Sequence, residues 1–557
     1  MEIFSYAPFG ASGIVIRVEV DIRRGIPGID ISGLAEGAVR EARERVRAGF
    51  RNSGYQFPLD RVLINLAPAG LRKDGAALDL PIALAVMSAA GLTPQTEALM
   101  VVGELELSGN VRPVRGVLAA VAAGIGEGIG DFIVPRENAR EAMILAREKS
   151  GIRVAPVSTL REALHALVVR AETGTLPAGE FFPPDSAGES GGETMGKGPA
   201  GDFSDVRGQE RYKRALEIAA AGGHNLLVFG PPGAGKTMLA RRMPSIMAPL
   251  SADEAVEATR LCSLAGLFDG PGGEGFDLIT RPPFRSPHHS ASAEGILGGG
   301  RTVRPGEISL AHLGVLFLDE APEFRSHILQ ALREPLEDQV ITISRAEASI
   351  RLPAAFQLIL AANPCPCGRL GMGGMESAGG TLNCFCSPEE VSRYWRRFGS
   401  ALLDRIELRV PVLPPRLGEM TGPRGESSAA VARRVNRAVE IQRSRLGRLF
   451  PPAGGEKSRE QGRIPPGAAS FERPRRNAGI PAELIERCCP LSERGEQALK
   501  TAAAKLALSG RAYHGVLRVA RTIADLEGRD SLDMEHILEA VEHRRRGDDP
   551  YDILAET

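Results

Sequence analysis

One stretch near the middle of the chain restricts the fold more than any other. The apolar run Asn225–Phe229 predicts a short buried strand, and Met238–Met243 predicts the start of a helix. Between them stand two glycines separated by four residues and followed by Lys and Thr, in the order Gly230, Pro231, Pro232, Gly233, Ala234, Gly235, Lys236 and Thr237.

This spacing is typical of a phosphate-binding loop. Glycines let backbone N–H groups approach phosphate oxygens, and the N-terminus of the following helix adds positive potential. Lys236 is then expected to reach the β- and γ-phosphates of a nucleotide, and Thr237 to ligate Mg²⁺. A chance glycine turn is the alternative, but strand, loop and helix follow in the required order. The sequence therefore predicts a nucleotide site.

Length and charge set the broad class of the protein. A chain of 557 residues is long enough for two to four domains. Its 68 basic and 69 acidic residues nearly cancel, so any nucleic-acid surface must be local.

No pattern in the sequence predicts a membrane or secreted protein. The first residues lack a basic segment followed by an apolar one, and the apolar stretch Leu80–Leu92 is too short to cross a bilayer. The seven cysteines are an odd number, which suits a reducing interior better than a disulfide framework. We expect a cytoplasmic protein with no membrane association.

Periodicity and composition divide the chain into five parts. Strand and helix patterns alternate over the first part, where Leu80–Ala90 predicts a buried helix. The second part is rich in Gly and Pro, and the fourth in Pro, Gly and Arg. We predict an α/β domain over 1–170, a flexible linker over 171–202, a nucleotide-binding core over 203–411, a loop-rich or partly disordered segment over 412–480, and a helical region over 481–557.

Three polar groups follow apolar strands or helices in the predicted core. Asp319 and Glu320 end the run Val315–Leu318, so Asp319 is expected to hold Mg²⁺ and Glu320 to polarise the water that attacks the γ-phosphate. Asn363 ends a second buried strand and is a candidate for orienting that water, although a polar strand cap is the alternative. Arg405 suits a transition-state contact, and a surface salt bridge to Asp404 or Glu407 is its alternative.

Four cysteines form two closely spaced pairs. Cys365 and Cys367 precede a loop rich in Gly and Met, and Cys384 and Cys386 follow it. Four thiolates are able to enclose a structural Zn²⁺, but Cys-x-Cys is tighter than the usual Cys-x₂-Cys spacing. Zinc ligands and reduced loop cysteines therefore both stay open.

Together these motifs resemble those of AAA+ ATPases of the magnesium-chelatase and MCM branch. More narrowly, the chain is similar over nearly its full length to the ComM (YifB) family of Mg-chelatase-like proteins. The stretches that carry this resemblance are Phe284-Arg-Ser-Pro-His-His289, Arg304-Pro-Gly-Glu-Ile-Ser-Leu-Ala311, Arg333-Glu-Pro-Leu-Glu337, Asn363-Pro-Cys-Pro-Cys-Gly368 and Leu402-Leu-Asp-Arg-Ile406.

The resemblance implies an α/β fold with an AAA+ P-loop core and a helical lid. It also implies a homo-oligomeric ring, most simply a hexamer, with ATP and Mg²⁺ between subunits. Arg405 is then the finger that reaches the neighbour's γ-phosphate. Arg518 occupies the position of the sensor-2 arginine on the lid, with Arg521 competing for that role and a solvated helix face as the alternative.

A β-hairpin is predicted around Arg345. Two alternating strands, Val340–Ile343 and Ala348–Leu352, flank Ser344–Glu347. In the MCM-like ATPases that the chain resembles, the matching hairpin points into the ring channel and touches DNA. Arg345 is thus the candidate contact to DNA phosphate, without sequence specificity, and an exposed turn charge is the alternative. The stretch Phe284–Gly300 is a candidate second pore loop.

The N-terminal part resembles the Lon-protease-like (ribosomal S5 domain 2-like) α/β domain. The resemblance rests on Lys73-Asp-Gly-Ala-Ala-Leu-Asp79 and Gly103-Glu-Leu-Glu-Leu-Ser-Gly-Asn-Val-Arg-Pro-Val114. The position of the nucleophile holds Ala77, and that of the lysine falls near Leu118. Without a hydroxyl and its amine base there is no acyl transfer, so this domain is expected to be catalytically inactive.

These expectations define one main hypothesis and two rivals. The family resemblance implies an ATP-driven ring motor that acts on DNA and migrates branches in recombination or natural transformation. The first rival is the ATPase subunit of a magnesium-chelatase-like complex, although nothing in the sequence resembles a tetrapyrrole site. The second is an ATPase that remodels protein partners.

Overall fold

The computed structural model describes most of the chain. The described residues are 2–11, 13–33, 37–69, 73, 76–93, 98–177, 201–267, 278–300, 303–344, 349–370, 376–377, 380–381, 383–414, 418, 421–450 and 474–545. Within these ranges, none of the helices combines the length and the apolar character that a bilayer span requires.

The N-terminal part is built on a seven-stranded mixed sheet in the order β3-β4-β2-β1-β5-β8-β9. Its strands, with the small β6/β7 ladder, are β1 (Ile3–Ala7), β2 (Ile14–Arg23), β3 (Gly28–Ser32), β4 (Arg61–Ala67), β5 (Leu99–Val101), β6 (Glu104–Leu105), β7 (Val111–Arg112), β8 (Asp131–Pro135) and β9 (Arg153–Val157). The helices are α1 (Gly37–Asn52), α2 (Asp79–Ala89), α3 (Val117–Gly126), α4 (Ala139–Glu148) and α5 (Leu160–Thr173).

Apolar patterning explains how this sheet is covered. Ile16 and Val18 alternate with exposed residues along β2 and face the core. Helix α2 is buried from Asp79 to Met87, which confirms the prediction of a buried helix at this point. The α/β class predicted for this part is therefore correct.

A second sheet of five parallel strands follows, in the order β11-β12-β15-β10-β18. The strands of this part are β10 (Leu226–Phe229), β11 (Phe284–Arg285), β12 (Val315–Leu318), β13 (Val340–Ser344), β14 (Ser349–Pro353), β15 (Gln357–Ala362), β16 (Glu376–Ser377), β17 (Gly380–Thr381) and β18 (Leu408–Pro411). Its helices are α6 (Glu210–Gly222), α7 (Lys236–Ala240), α8 (Ala252–Ala265), α9 (Ala293–Leu297), α10 (Glu307–Leu310), α11 (Ser326–Ala331), α12 (Arg333–Asp338), α13 (Pro388–Trp395) and α14 (Ser400–Leu403).

The C-terminal part is helical and packs on α6. It comprises α15 (Ser428–Leu449), α16 (Ile485–Cys488), α17 (Glu493–Leu506), α18 (Gly510–Glu527) and α19 (Met534–Arg545). The prediction of a loop-rich segment over 412–480 is wrong for α15, a helix of 22 residues. Ser427 caps it, and Val435 and Val439 on one face join the same core as α6, so burial stabilises a helix rich in arginine.

The two sheets are connected through α8. Its Ser263 hydroxyl donates a hydrogen bond to the buried Glu141 carboxylate of α4, and Leu264 packs with Tyr6 of β1 in one apolar cluster. Through these contacts the N-terminal sheet rests directly on the nucleotide-binding core.

Candidate nucleotide-binding site

The order of the parallel strands explains why the predicted residues meet. Strand β10 lies between β15 and β18, and β12 lies on the far side of β15. The loops that follow β10, β12 and β15 therefore emerge at one carboxyl edge of the sheet, where α/β proteins bind ligands.

Local backbone geometry shapes the phosphate-binding loop. Gly233 and Gly235 have φ angles of 78° and 88°, which other residues adopt only at a cost. Gly230 is required for a different reason, because a Cβ there would stand 1.9 Å from the carbonyl oxygen of Val412. Space above Gly233 is open, with nothing within 4 Å of an added Cβ.

Lys236 lies folded inside this loop and is largely buried. Its Nζ donates to the carbonyl oxygens of Gly230 (2.6 Å) and Pro231 (2.9 Å), and to Asn363 Oδ1 (3.2 Å). Burial lowers the pKa of Lys236 to about 8, against the opposing charges of Asp319 and Glu320. A phosphate group entering the loop would supply the negative charge that this buried ammonium lacks.

Thr237 and Asp319 lie next to each other and could both supply oxygen ligands to a hydrated cation. The Thr237 hydroxyl donates to Asp319 Oδ2 at 2.7 Å, although 82 residues separate them in sequence. Hydroxyl and carboxylate oxygens are ligands that Mg²⁺ prefers, usually together with water and phosphate. The residues present therefore fit Mg²⁺ bound with a nucleotide.

Glu320 follows Asp319 at the end of β12 and is turned by a left-handed backbone with a φ of 48°. Its carboxylate is exposed and lies 3.6 Å from Nδ1 of His289. The rings of His289 and His288 are tilted by 34° to each other, with centroids 4.1 Å apart. The predicted second pore loop thus reaches the residue predicted to polarise water.

A cavity of about 450 Å³ adjoins the phosphate-binding loop. Its wall includes Gly233, Gly235, Gln209 and Arg424, together with the segment Ser204–Arg207. Gln209 is fixed there because its side-chain amide donates to the carbonyl oxygen of Leu413 at 2.6 Å. The position and size suit the base and ribose of a nucleotide.

Arg405 lies at the opposite edge of the sheet. It precedes β18, whose residues pair in parallel with β10 from Leu226↔Leu408 to Phe229↔Pro411. The length of these strands, at roughly 3.3 Å per residue, separates it from Gly230. Arg405 is mostly buried and pairs with Glu337 at 2.7 Å, instead of with Asp404 or Glu407. It therefore does not reach the phosphate-binding loop of its own chain.

Glu337 is shared by two arginines. Burial raises its pKa, but hydrogen bonds and charge from Arg405 and Arg511 outweigh this and lower the pKa overall. Arg511 also lies 3.6 Å from Asp404, which in turn accepts from Arg544 at 2.8 Å. Arg405 thus belongs to a network of paired charges that links Glu337, Arg511, Asp404 and Arg544.

Arg518 belongs to the same side of the sheet. Its Nε donates to the carbonyl oxygen of Ile480 at 2.9 Å, and its charge acts on the buried Glu407 at the start of β18. It is half-buried, which excludes the fully solvated face considered from sequence. Arg521 is buried and forms an ion pair at 3.0 Å with Asp525, one turn further along α18.

The predicted hairpin is present as β13 and β14. The strands pair antiparallel from Val340↔Pro353 to Ser344↔Ser349. Arg345, at its predicted tip, lies outside the described residues, so its contact to DNA stays a prediction.

All four paired cysteines lie in one cluster. The sulfur atoms of Cys365, Cys367, Cys384 and Cys386 lie within 4.8 Å of one another. Cys365 and Cys367 closely follow Asn363, and Cys386 directly precedes Ser387, the N-cap of α13.

Of the N-terminal positions considered for acyl transfer, Ala77 is half-buried and Leu118 lies in the interior. Ala77 belongs to a short 3₁₀ turn, and Leu118 is fully buried in α3. Lys73 is buried as well, and its Nζ donates to the carbonyl oxygens of Gly33 and Pro68. That the domain is inactive stays a prediction.

Sequence reasoning missed three contributors to this region. Gln209 and Arg424 line the cavity, and Glu337 holds Arg405. Glu337 ends the stretch Arg333–Glu337, which carries part of the family resemblance, but 68 residues separate it from Arg405, and no local spacing indicates the pair.

The fold and the site define a class. Five parallel strands with a phosphate-binding loop, an Asp-Glu strand end and a polar third strand end are the architecture of a P-loop protein of the AAA+ type. Family models agree: "Magnesium chelatase, subunit ChlI" matches residues 202–420, "Subunit ChlI of Mg-chelatase" matches 18–138, and "Magnesium chelatase, subunit ChlI C-terminal" matches 425–544.

The chain belongs to the ComM (YifB) family of these magnesium-chelatase-like proteins. It is 40% identical to the YifB protein of Salmonella typhimurium over 97% of this chain and 96% of that protein. It is 38% identical to competence protein ComM of Haemophilus influenzae over 97% of each chain. Lon protease 2 of Bacillus subtilis is 26% identical over 31% of this chain and 33% of its own length.

Proposed function

We propose that the protein is an ATP-hydrolysing ring motor that acts on DNA and migrates branched junctions. The observation that carries the proposal is the division of the site between two edges of one sheet. Lys236, Thr237 and Asp319 converge at the carboxyl edge, whereas Arg405 lies at the amino edge. A complete site then needs two copies of the chain, which a closed ring supplies.

Each residue has a role that its position supports. Backbone N–H groups of the loop and Lys236 bind the phosphates, and Thr237 with Asp319 would hold Mg²⁺. Bound Mg²⁺ would neutralise charge on the phosphates. Glu320 accepts a proton from the attacking water, and Asn363 orients that water.

Arg405 of one copy would stabilise the charge that develops on the γ-phosphate of the next copy. Arg518 lies on the same side and would act across the same junction. To do so, Arg405 leaves Glu337, whose second partner Arg511 stays to satisfy the carboxylate.

The action on DNA is supported by full-length similarity to a competence protein and by the β13/β14 hairpin. In the ring, the hairpin tip with Arg345 would face the channel and contact the phosphate backbone without reading bases. Hydrolysis would then displace the hairpin along DNA.

A second candidate is the ATPase subunit of a chelatase complex, which the descriptions of the matching family models favour. ATPase activity that a large chelatase partner stimulates, and that DNA does not, would support it. Indifference to DNA together with co-purification of a protein client would favour protein remodelling.

Branch migration of a synthetic four-way junction tests the main proposal. We expect purified protein to convert the junction only with ATP, and Glu320→Gln to bind ATP but convert none. ATP hydrolysis without movement of any junction or duplex, and without a response to DNA, would refute the DNA motor.

A further inference from the structure

The cysteine cluster has the dimensions of a metal site. The Sγ atoms of Cys365 and Cys367 lie 3.4 Å apart, those of Cys365 and Cys384 3.7 Å, and those of Cys367 and Cys384 3.5 Å. A disulfide would need about 2.05 Å. In a zinc tetrathiolate, four sulfurs at about 2.3 Å from the ion stand roughly 3.8 Å from one another. The observed separations match the tetrathiolate.

The surroundings of the cluster suit an enclosed metal ion that can still enter from solvent. Cys365 is fully buried, and its Sγ accepts a hydrogen bond from the backbone N–H of Leu370 at 3.4 Å. Four sulfurs at one point select a soft or borderline ion over Mg²⁺ or Ca²⁺. Cys384 and Cys386 are only half-buried and Cys367 is exposed, so an ion has access.

One side of the cluster contacts the nucleotide site. Cys365 comes two residues after Asn363, whose Oδ1 accepts from Lys236. Gly368, with a φ of 75°, packs so closely that a Cβ there would lie 2.8 Å from Pro232 of the phosphate-binding loop. The short segment from Cys365 to Gly368 is therefore wedged between the cluster and that loop.

The other side of the cluster is anchored by α13. Ser387, next to Cys386, caps this helix. At its far end Trp395 donates from Nε1 to the carbonyl oxygen of Pro364 at 3.0 Å, and its ring packs edge-on against Phe229 of β10 at 5.5 Å. Tying the two cysteine pairs together would thus hold the end of β15 against α13 and β10.

We propose that Cys365, Cys367, Cys384 and Cys386 bind one Zn²⁺, and that this ion positions Asn363 and the phosphate-binding loop for hydrolysis. The positioning half rests on the proposed ATPase function, whereas the zinc half stands alone. Zinc here is structural, because four thiolates fill its coordination shell and leave no place for water.

Metal content tests the site without reference to activity. Full-length protein purified without chelators should contain about one zinc per chain, and Cys384→Ala/Cys386→Ala almost none. Cys262→Ala is the matched control, because Cys262 lies in α8 and is not one of the clustered cysteines, so this substitution should leave zinc unchanged. Co²⁺ in place of zinc should give the visible absorption of a tetrahedral thiolate site in wild type only. Wild type without zinc and without that absorption would overturn the site.

Steady-state kinetics test the positioning role. We expect the double cysteine variant, and wild type stripped of zinc with a chelator, to lose roughly tenfold or more in kcat with a smaller change in KM. The reason is that the zinc cluster does not contact the nucleotide itself but orients Asn363 and the loop that do. Zinc added back should restore the stripped wild type, and an unchanged circular dichroism spectrum of the stripped protein would exclude unfolding as the cause. Unchanged kcat in zinc-free protein would overturn the positioning role. If no form hydrolyses ATP, the proposed function fails, and metal content still decides the site.

Discussion

Glycine has two distinct uses within the phosphate-binding loop, and the two can be separated. Gly230→Ala places a Cβ against the Val412 carbonyl at 1.9 Å, so β10 and β18 must move apart. We expect a loss of about 1–3 kcal/mol in the free energy of unfolding, typical of overpacking. Chemical denaturation of the purified variant measures it.

Gly233→Ala is the matched variant, because its Cβ meets open space and only the φ of 78° opposes it. We expect a smaller loss of stability, near 1 kcal/mol, together with weaker ATP binding, because backbone N–H groups shift from the phosphates. Equal destabilisation by both substitutions would contradict the separate roles.

Lys236 gives the site a pH dependence whose sign follows from burial. Its pKa falls from 10.5 to about 8 in the folded chain. Between these two pH values the unfolded chain binds more protons than the folded chain, so the free energy of unfolding rises with pH. Below about pH 8 the buried lysine is charged, and burial of that charge destabilises the folded chain in full.

Above about pH 8, where Lys236 is mostly neutral, binding of ATP should protonate it again. Phosphate favours the charged lysine, so ATP binding near pH 9 should take up close to one proton, and near pH 7 almost none. Calorimetry of Glu320→Gln in buffers of different ionisation enthalpy measures the uptake without turnover. The same uptake at both pH values would show that Lys236 is not the titrating group.

At the scale of elements, sequence patterns succeeded where the determining contacts are local. Strand, loop and helix around Lys236 follow from glycine spacing and a short apolar run. Helix α15 carried a usable signal too, in the cap Ser427 and the spacing of Val431, Val435 and Val439. The many arginines and the Pro- and Gly-rich neighbours obscured that signal.

Contacts between distant elements could not be predicted in the same way. The Arg405–Glu337 pair joins a helix end to α12, and the sulfur cluster joins the end of β15 to the start of α13. Both depend on how parallel strands bring loops together in space. Local spacing offered only the neighbours Asp404 and Glu407 for Arg405, and they have other partners.

The β13/β14 hairpin gives a prediction of its own. Arg345→Ala should weaken binding of duplex and single-stranded DNA alike, and should lower the slope of log affinity against log salt by about one. Arg351→Ala is the control, because this exposed arginine lies within the paired strands, opposite Thr342. Fluorescence anisotropy across a salt series measures both. An equally large loss of DNA affinity in Arg351→Ala would contradict a specific role for Arg345 in binding phosphate.

For the whole molecule, the proposed function divides each site between two copies of the chain. The carboxyl edge of the sheet holds the phosphate loop, and the amino edge holds Arg405 with Arg511 and Arg518. In the proposed ring each copy would present one edge to each neighbour, so hydrolysis would depend on contact between copies.

Mixing two inactive variants tests this claim most directly. Lys236→Ala keeps an intact Arg405, and Arg405→Ala keeps an intact loop; each alone should lose at least ~100-fold in kcat. In rings assembled at random from equal amounts, one junction in about four (one half times one half) joins the two intact halves, so the mixture should recover up to about a quarter of the wild-type rate. Recovery of that order confirms a shared site. A mixture that stays inactive although fluorescence transfer shows mixed rings, or an Arg405→Ala protein as fast as wild type, would contradict it.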